Sequence, residues 1–85
     1  MGPIHKVLQA QKVLESPFGG YGLSTTEKEI LTLALKGHSN QGIAKAMNLP
    51  NGTVNAYGYR AQKKIGVTKS ELGWFVIERL EEILK

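Results

Sequence analysis

Gly52, Asn55, Ala56, Tyr59, Arg60 and Lys63 recur at intervals of one, three and four residues, the spacing that gathers side chains on one side of an α-helix. Together they offer an amide, a methyl group, a phenol and two cations, with no acid and no large aliphatic side chain. Amides and phenols hydrogen-bond the edges of bases, a small methyl packs against the methyl of thymine, and cations such as Arg60 and Lys63 pair with phosphates. The chemistry available to this face is recognition of a nucleic acid. A helix face that only met water would usually mix both signs of charge.

A helix over Asn51–Ile65 would place these groups. At roughly 100° per residue, Val54, Tyr57, Gly58, Ala61 and Ile65 fall on the opposite, inward side. Gly66 follows where a helix end favours a residue that tolerates positive φ. The charge distribution points the same way. Before Lys36, three lysines balance three glutamates. Lys36, Lys45, Arg60, Lys63, Lys64 and Lys69 then follow with no acid among them, and after Lys69 four glutamates outweigh Arg79 and Lys85. The whole excess behind the net charge of +4 therefore lies around the candidate helix, which suggests a polyanionic partner.

The remaining composition sets bounds. Eighty-five residues, 41% of them hydrophobic, suit one small domain with a modest core. The absence of cysteine removes disulfides and thiolate metal sites. No apolar run approaches the roughly 18 residues that span a membrane, and no secretory leader is visible. A cytoplasmic protein without cofactor or metal is expected.

The other elements read as the frame for the helix, all of them α. Pro3–Glu15 is expected to be a short helix with Ile4, Val7, Leu8 and Leu14 along one side. Residues 16–22, with Pro17 and three glycines, read as a loop that Phe18 and Tyr21 anchor on the core. Ser24 and Glu27 form a capping-box pattern behind Leu23. The helix they open carries Ile30, Leu31, Leu33, Ala34 and Leu35 and stops at Gly37. Ser39 opens a second helix with Ile43, Ala44 and Met47, which Asn48, Leu49 and Pro50 break. Two helices joined by so short a turn, the second with a polar outer face, make a helix-turn-helix. Thr68 and Glu71 give another capping box, before a last helix from Lys69 to Leu84. No strand is expected.

Residues 23–80 resemble the LuxR-type helix-turn-helix domain, found also at the C-terminus of NarL/FixJ-type regulators and in the small GerE-like regulators. Leu23, Ser24, Glu27, Glu29, Ile30 and Leu31 carry the first block of the resemblance, and Leu35, Gly37, Ser39, Asn40, Ile43 and Ala44 the second. Thr53, Val54, Lys64, Ile65, Gly66 and Val67 complete it. The resemblance implies an all-α, four-helix DNA-binding domain over residues 23–85, preceded by an N-terminal helix and linker over residues 1–22. It implies a sequence-specific transcriptional regulator whose third helix enters the major groove, and dimers formed through the fourth. Carried over position by position, Asn55, Ala56 and Tyr59 match places that reach base edges, and Asn40, Thr53, Arg60 and Lys64 match places suited to phosphates. Each of three has a plainer alternative: Lys64 can counter the helix dipole, Thr53 can cap or pack, and Asn40 can start its helix. The pattern departs from the family at several points. Asn55 stands where Lys or Arg is frequent, Tyr57 where His is, Gly42 for Glu, Pro50 for a hydroxyl cap and Ser70 for Arg. Gly58 lies mid-helix on the inward side, which suggests close packing against the helix opened by Ser39.

The last helix is expected to turn Leu72, Val76, Leu80 and Ile83 to the core. Ile77 and Leu84 lie beside that stripe and Phe75 at its other edge. Trp74 lies on the far side among Glu71, Glu78, Glu81 and Lys85. Three arrangements would cover Trp74: bending of its own helix, the apolar stripe of the N-terminal helix, or a second copy of the chain. An interface combining the N-terminal and last helices in a homodimer is favoured, with Trp74, Ile77 and Leu84 as contacts. Catalysis is not expected, since two isolated histidines and no Gly-rich phosphate loop leave no nucleophile with a base at a plausible spacing. The alternative function is a protein-interaction module on the same scaffold, binding another transcription regulator or RNA polymerase, or sequestering a regulator. Salt-dependent retention on heparin separates the two. Whether the chain is free-standing or part of a longer regulator is left open by the sequence.

Overall fold

Residues 3–84 are described in the computed structural model of the chain. They form five α-helices and, among the described residues, no strand. The helices are α1 (Pro3–Glu15), α2 (Thr25–Leu35), α3 (Asn40–Met47), α4 (Asn51–Ile65) and α5 (Leu72–Leu84), the last preceded by a 3₁₀ turn at Lys69–Glu71.

The element ends follow local chemistry. The Ser24 hydroxyl accepts the Glu27 N–H at 3.1 Å, and the Ser24 N–H donates to Glu27 Oε1 at 2.9 Å, so α2 starts from a complete capping box. It stops where Gly37 takes φ 97° and the His38 N–H returns to the Leu33 carbonyl at 3.1 Å. Ser39 caps α3 through the Gly42 N–H at 3.1 Å, but Gly42 has no side chain to complete the box. Asn48, at φ 55°, ends α3, with the Leu49 N–H bonded to the Ala44 carbonyl at 2.9 Å. Pro50 then starts α4 without a side-chain cap, and Gly66 at φ 77° ends it. The last helix does not begin at Lys69 as an α-helix. Thr68 donates from its N–H and its hydroxyl to Glu71 Oε1, at 2.9 and 2.8 Å, and the tight turn this closes is 3₁₀.

Two apolar clusters join the helices. Ile30, Ile43, Ala44 and Val54 tie α2, α3 and α4 together, with Met47, Leu49 and Tyr57 packed around them. Val13, Phe18, Leu31, Ala61, Ile65, Leu72 and Val76 join α1, the loop, α2, α4 and α5. Phe18 stacks on Phe75 at 5.9 Å between centroids, and Tyr21 meets Phe75 edge-on at 5.2 Å, so both aromatics anchor the loop as expected. Arg79 lies over the Tyr21 ring at 5.4 Å and its guanidinium donates to the Pro17 carbonyl.

Two further expectations need correction. The stripe Ile4, Val7, Leu8 and Leu14 is exposed, and among the described residues α1 buries Val13, on the opposite side of the helix. Phe18 and Arg79 fix how the chain leaves α1, and that anchoring selects the face that meets α5. Gly58 does not pack closely on α3. A Cβ there would find Ile30 of α2 at 3.6 Å, an ordinary contact. On α5, Leu72 and Val76 are buried and Leu80 and Ile83 partly so. Trp74 remains 67% exposed, covered neither by bending of its helix nor by α1. The expected neighbourhood of Trp74 and Lys85 lies outside the described residues.

Candidate nucleic-acid interface

The inward residues of α4 hold it rigidly. Val54, Gly58, Ala61 and Ile65 are buried and Tyr57 is partly so, while Gly52, Asn55, Ala56, Tyr59, Arg60 and Lys63 are all exposed. The division between faces is the one expected from the 3.6-residue period. Two cations on α4 lie over neighbouring rings: the Lys63 ammonium over Tyr59 at 4.8 Å and the Arg60 guanidinium over Tyr57 at 5.3 Å. Such contacts contribute about 0.5–1 kcal/mol at exposed sites, enough to bias long side chains towards one arrangement.

A polar relay crosses from α3 to α4. Asn40 Nδ2 donates to Asn55 Oδ1 at 2.6 Å, and Lys69 Nζ donates to Asn40 Oδ1 at 3.1 Å. Asn40 and Asn55, both expected at the interface, are thus brought into contact. Sequence spacing does not single out Lys69, because its separation from Asn40 along the chain follows no local periodicity. Thr53 is half-buried in the first turn of α4.

Lys64 has a different setting from its neighbours. Its ammonium meets Glu27 Oε1 at 2.8 Å and the Gly22 carbonyl at 3.4 Å. The Lys64 side chain is 43% exposed and that of Glu27 only 4%. The Lys64 hydrogen bond, then the Ser24 N–H, hold the Glu27 carboxyl below the usual carboxylate range against the opposing effect of burial. Glu27 Oε2 is buried with no hydrogen-bond partner, which makes the bonds to Oε1 more important. Engagement of a phosphate by Lys64 would compete with this pair.

Trp74, Ile77 and Leu84 are all exposed on α5, and Ile77 and Leu84 flank Leu80 and Glu81 in a shallow apolar groove. Among the described residues, no group of three or more His, Asp or Glu side chains could hold a metal ion, and no helix is long and apolar enough to cross a membrane.

Residues 22–71 match the model of a family described as bacterial regulatory proteins, luxR family. The matched stretch runs from just before the Ser24 cap to Glu71, so it holds α2, α3 and α4 and leaves out α1 and α5. No curated protein and no solved structure matches the chain.

Proposed function

The chain belongs to the luxR family of bacterial regulatory proteins, a family of helix-turn-helix DNA-binding regulators, and from that premise we propose that it is a sequence-specific transcription regulator that binds duplex DNA as a homodimer with α4 in the major groove. The observation that carries the proposal is the face of α4, exposed along its length, free of acids and built from hydrogen-bonding and cationic groups. In the major groove each base pair presents a distinct set of donors, acceptors and methyl groups. Asn55, Ala56 and Tyr59 read base edges there. Arg60 and Lys63 flank the duplex and pair with phosphates, with Asn40 and Thr53 at the ends of the contact. Lys64 adds to the local positive potential while remaining paired with Glu27. Residues 23–85 act as the DNA-binding unit and residues 1–22 as its N-terminal helix and linker. Location in the cytoplasm follows, since that is where bacterial DNA lies.

Binding works by position and charge and involves no bond-making step. Phosphate contacts fix register, and base contacts select sequence. A homodimer places two copies of α4 about a two-fold axis, so operators should be inverted repeats whose half-site spacing follows that axis. Selection from randomised duplexes, followed by footprinting of the enriched sites, tests the whole proposal. Enrichment of an inverted repeat with two chains per site supports it. A single unpaired half-site bound by one chain rejects the dimer. Absence of any salt-dependent retention on DNA or heparin would instead favour a protein-interaction module that sequesters another regulator.

A further inference from the structure

We infer that Lys69 and Asn40 are positioning residues that set the sense of the Asn55 carboxamide, so that Asn55 presents hydrogen-bond donors to DNA and selects guanine over adenine at the base it reads. The inference rests on the proposal that Asn55 reads a base. It begins from three side chains on three elements: Lys69 of the 3₁₀ turn, Asn40 at the start of α3 and Asn55 on the outer face of α4. All three are exposed, and they form one continuous chain of hydrogen bonds of 3.1 and 2.6 Å.

Donor and acceptor inventories fix the direction of that chain. A lysine ammonium carries donors and no acceptor. The atom of Asn40 that meets Lys69 must therefore be its oxygen, and the other end of the Asn40 amide is the NH₂ group. That group needs an acceptor, which is Asn55 Oδ1. The Asn55 NH₂ is left, and among the described residues it has no protein partner. The ammonium also makes the first bond charge-assisted, which strengthens the orientation passed along the relay.

The consequence for DNA follows from base-edge chemistry. A free asparagine pairs with adenine by accepting from N6 and donating to N7. An Asn55 whose oxygen is turned to Asn40 has one of its two lone pairs occupied and its carbonyl directed at α3, which disfavours presenting both atoms in that way. Guanine offers two neighbouring acceptors, N7 and O6, and suits an outward NH₂ group. Lys69 thus influences base choice without being required to touch a base.

Selection from randomised duplexes with the 85-residue chain, comparing the parent with Asn55→Ala, Asn40→Asp and Lys69→Ala, tests the inference. Asn55→Ala identifies the base pair it reads as the position whose preference collapses. There the parent should favour guanine over adenine by about tenfold, within the range expected for a good base contact. Asn40→Asp should reverse the ratio. An aspartate accepts at both oxygens, keeps Lys69 on one and demands a donor from Asn55 on the other, which turns the Asn55 oxygen outward towards the donor edges of adenine and cytosine. Lys69→Ala should move the ratio towards parity. The added charge of Asn40→Asp weakens all sites alike, so the ratio rather than the affinity is read; should it abolish binding, Lys69→Ala carries the test. Unchanged unfolding midpoints confirm that these exposed substitutions leave the fold intact. If Asn55→Ala alters one position while the relay variants that still bind keep the parental ratio there, the positioning role is overturned and base reading stands. If Asn55→Ala alters no position, base reading fails and the inference falls with it.

Discussion

Arg60, Lys63 and Lys64 carry the same charge within a short length of α4, yet their surroundings assign them different tasks. Arg60 lies over the partly buried Tyr57 ring and Lys63 over the exposed Tyr59 ring, and both cations are exposed and available to phosphates. Arg60→Ala or Lys63→Ala should weaken binding to every DNA sequence alike and reduce the slope of log K against log salt by about 0.9 for each phosphate no longer neutralised, read from titrations over a salt series. Lys64→Ala should act first on folding. It leaves the Glu27 carboxylate buried without its counter-charge, and because Lys64 is itself 43% exposed the cost should lie below that of breaking a fully buried pair, at about 1–3 kcal/mol. Urea unfolding measures it. The same pair gives stability a pH dependence. The folded-state pKa of Glu27 lies below the ordinary value of 4.5, so between the two the unfolded chain binds more protons and stability rises with pH. The contribution is complete above the ordinary value and is lost as pH falls through the folded pKa. Glu27→Gln should flatten this acid limb. A remainder is expected from Glu71, whose carboxyl is also lowered by the N–H and hydroxyl of Thr68.

At the scale of elements, Gly58 is the mid-helix position where α4 gives up helix propensity without an evident gain. Its φ is not in the left-handed region, and a Cβ would meet only Ile30, at 3.6 Å. Gly58→Ala should therefore stabilise the chain by about 0.5–1 kcal/mol, seen as a higher melting temperature with unchanged DNA affinity. Loss of stability would show that Ile30 cannot accept the methyl group. The extent of α4 was legible in the sequence because its signals are local: a 3.6-residue period, Pro50 before it and Gly66 after it. The caps at Ser24 and Ser39 were legible for the same reason. The buried face of α1 was not. Ile4, Val7, Leu8 and Leu14 make a credible apolar stripe, but the choice of face depends on where Phe18 and Arg79 hold the following loop. Of the candidate site, the outward set on α4 was readable from spacing, and Tyr57 and Arg60, like Tyr59 and Lys63, already stood at helical intervals. The partners of Asn40 and Lys64 were not, since Asn55, Lys69 and Glu27 reach them only through tertiary packing.

For the whole molecule, the exposed apolar residues of α5 bear on assembly. Trp74, Ile77 and Leu84 lie outside both clusters, and an aromatic of this kind removes about 150–250 Å² from water when covered. With its ring already exposed in the single chain, Trp74→Ala should leave helix content and monomer stability nearly unchanged while lowering dimerisation. Sedimentation velocity beside circular dichroism checks this. A variant that remains fully dimeric would place Trp74 outside the interface, and one that unfolds would place it in the core of the monomer.

The anchor formed by Phe18, Tyr21, Phe75 and Arg79 should divide the molecule into units that open at different free energies. On its N-terminal side, α1 buries Val13 among the described residues; on its C-terminal side lie α2, α3 and α4 with their shared core. Peeling α1 away as far as Ser16 would withdraw Val13 from the edge of the main cluster and uncover the part of α5 that α1 packs against, whereas unseating the fully buried Phe18 would open the cluster itself. Native-state hydrogen exchange should accordingly show amides of α1 exchanging through a low-energy, sub-global opening with little dependence on denaturant. Amides of α4 around Val54 and Ala61 should exchange only through global unfolding, with the full denaturant dependence. A protease would then first encounter the exposed chain around Glu15 and Ser16, just N-terminal to the buried Pro17, and its product would keep the DNA-facing helix in place.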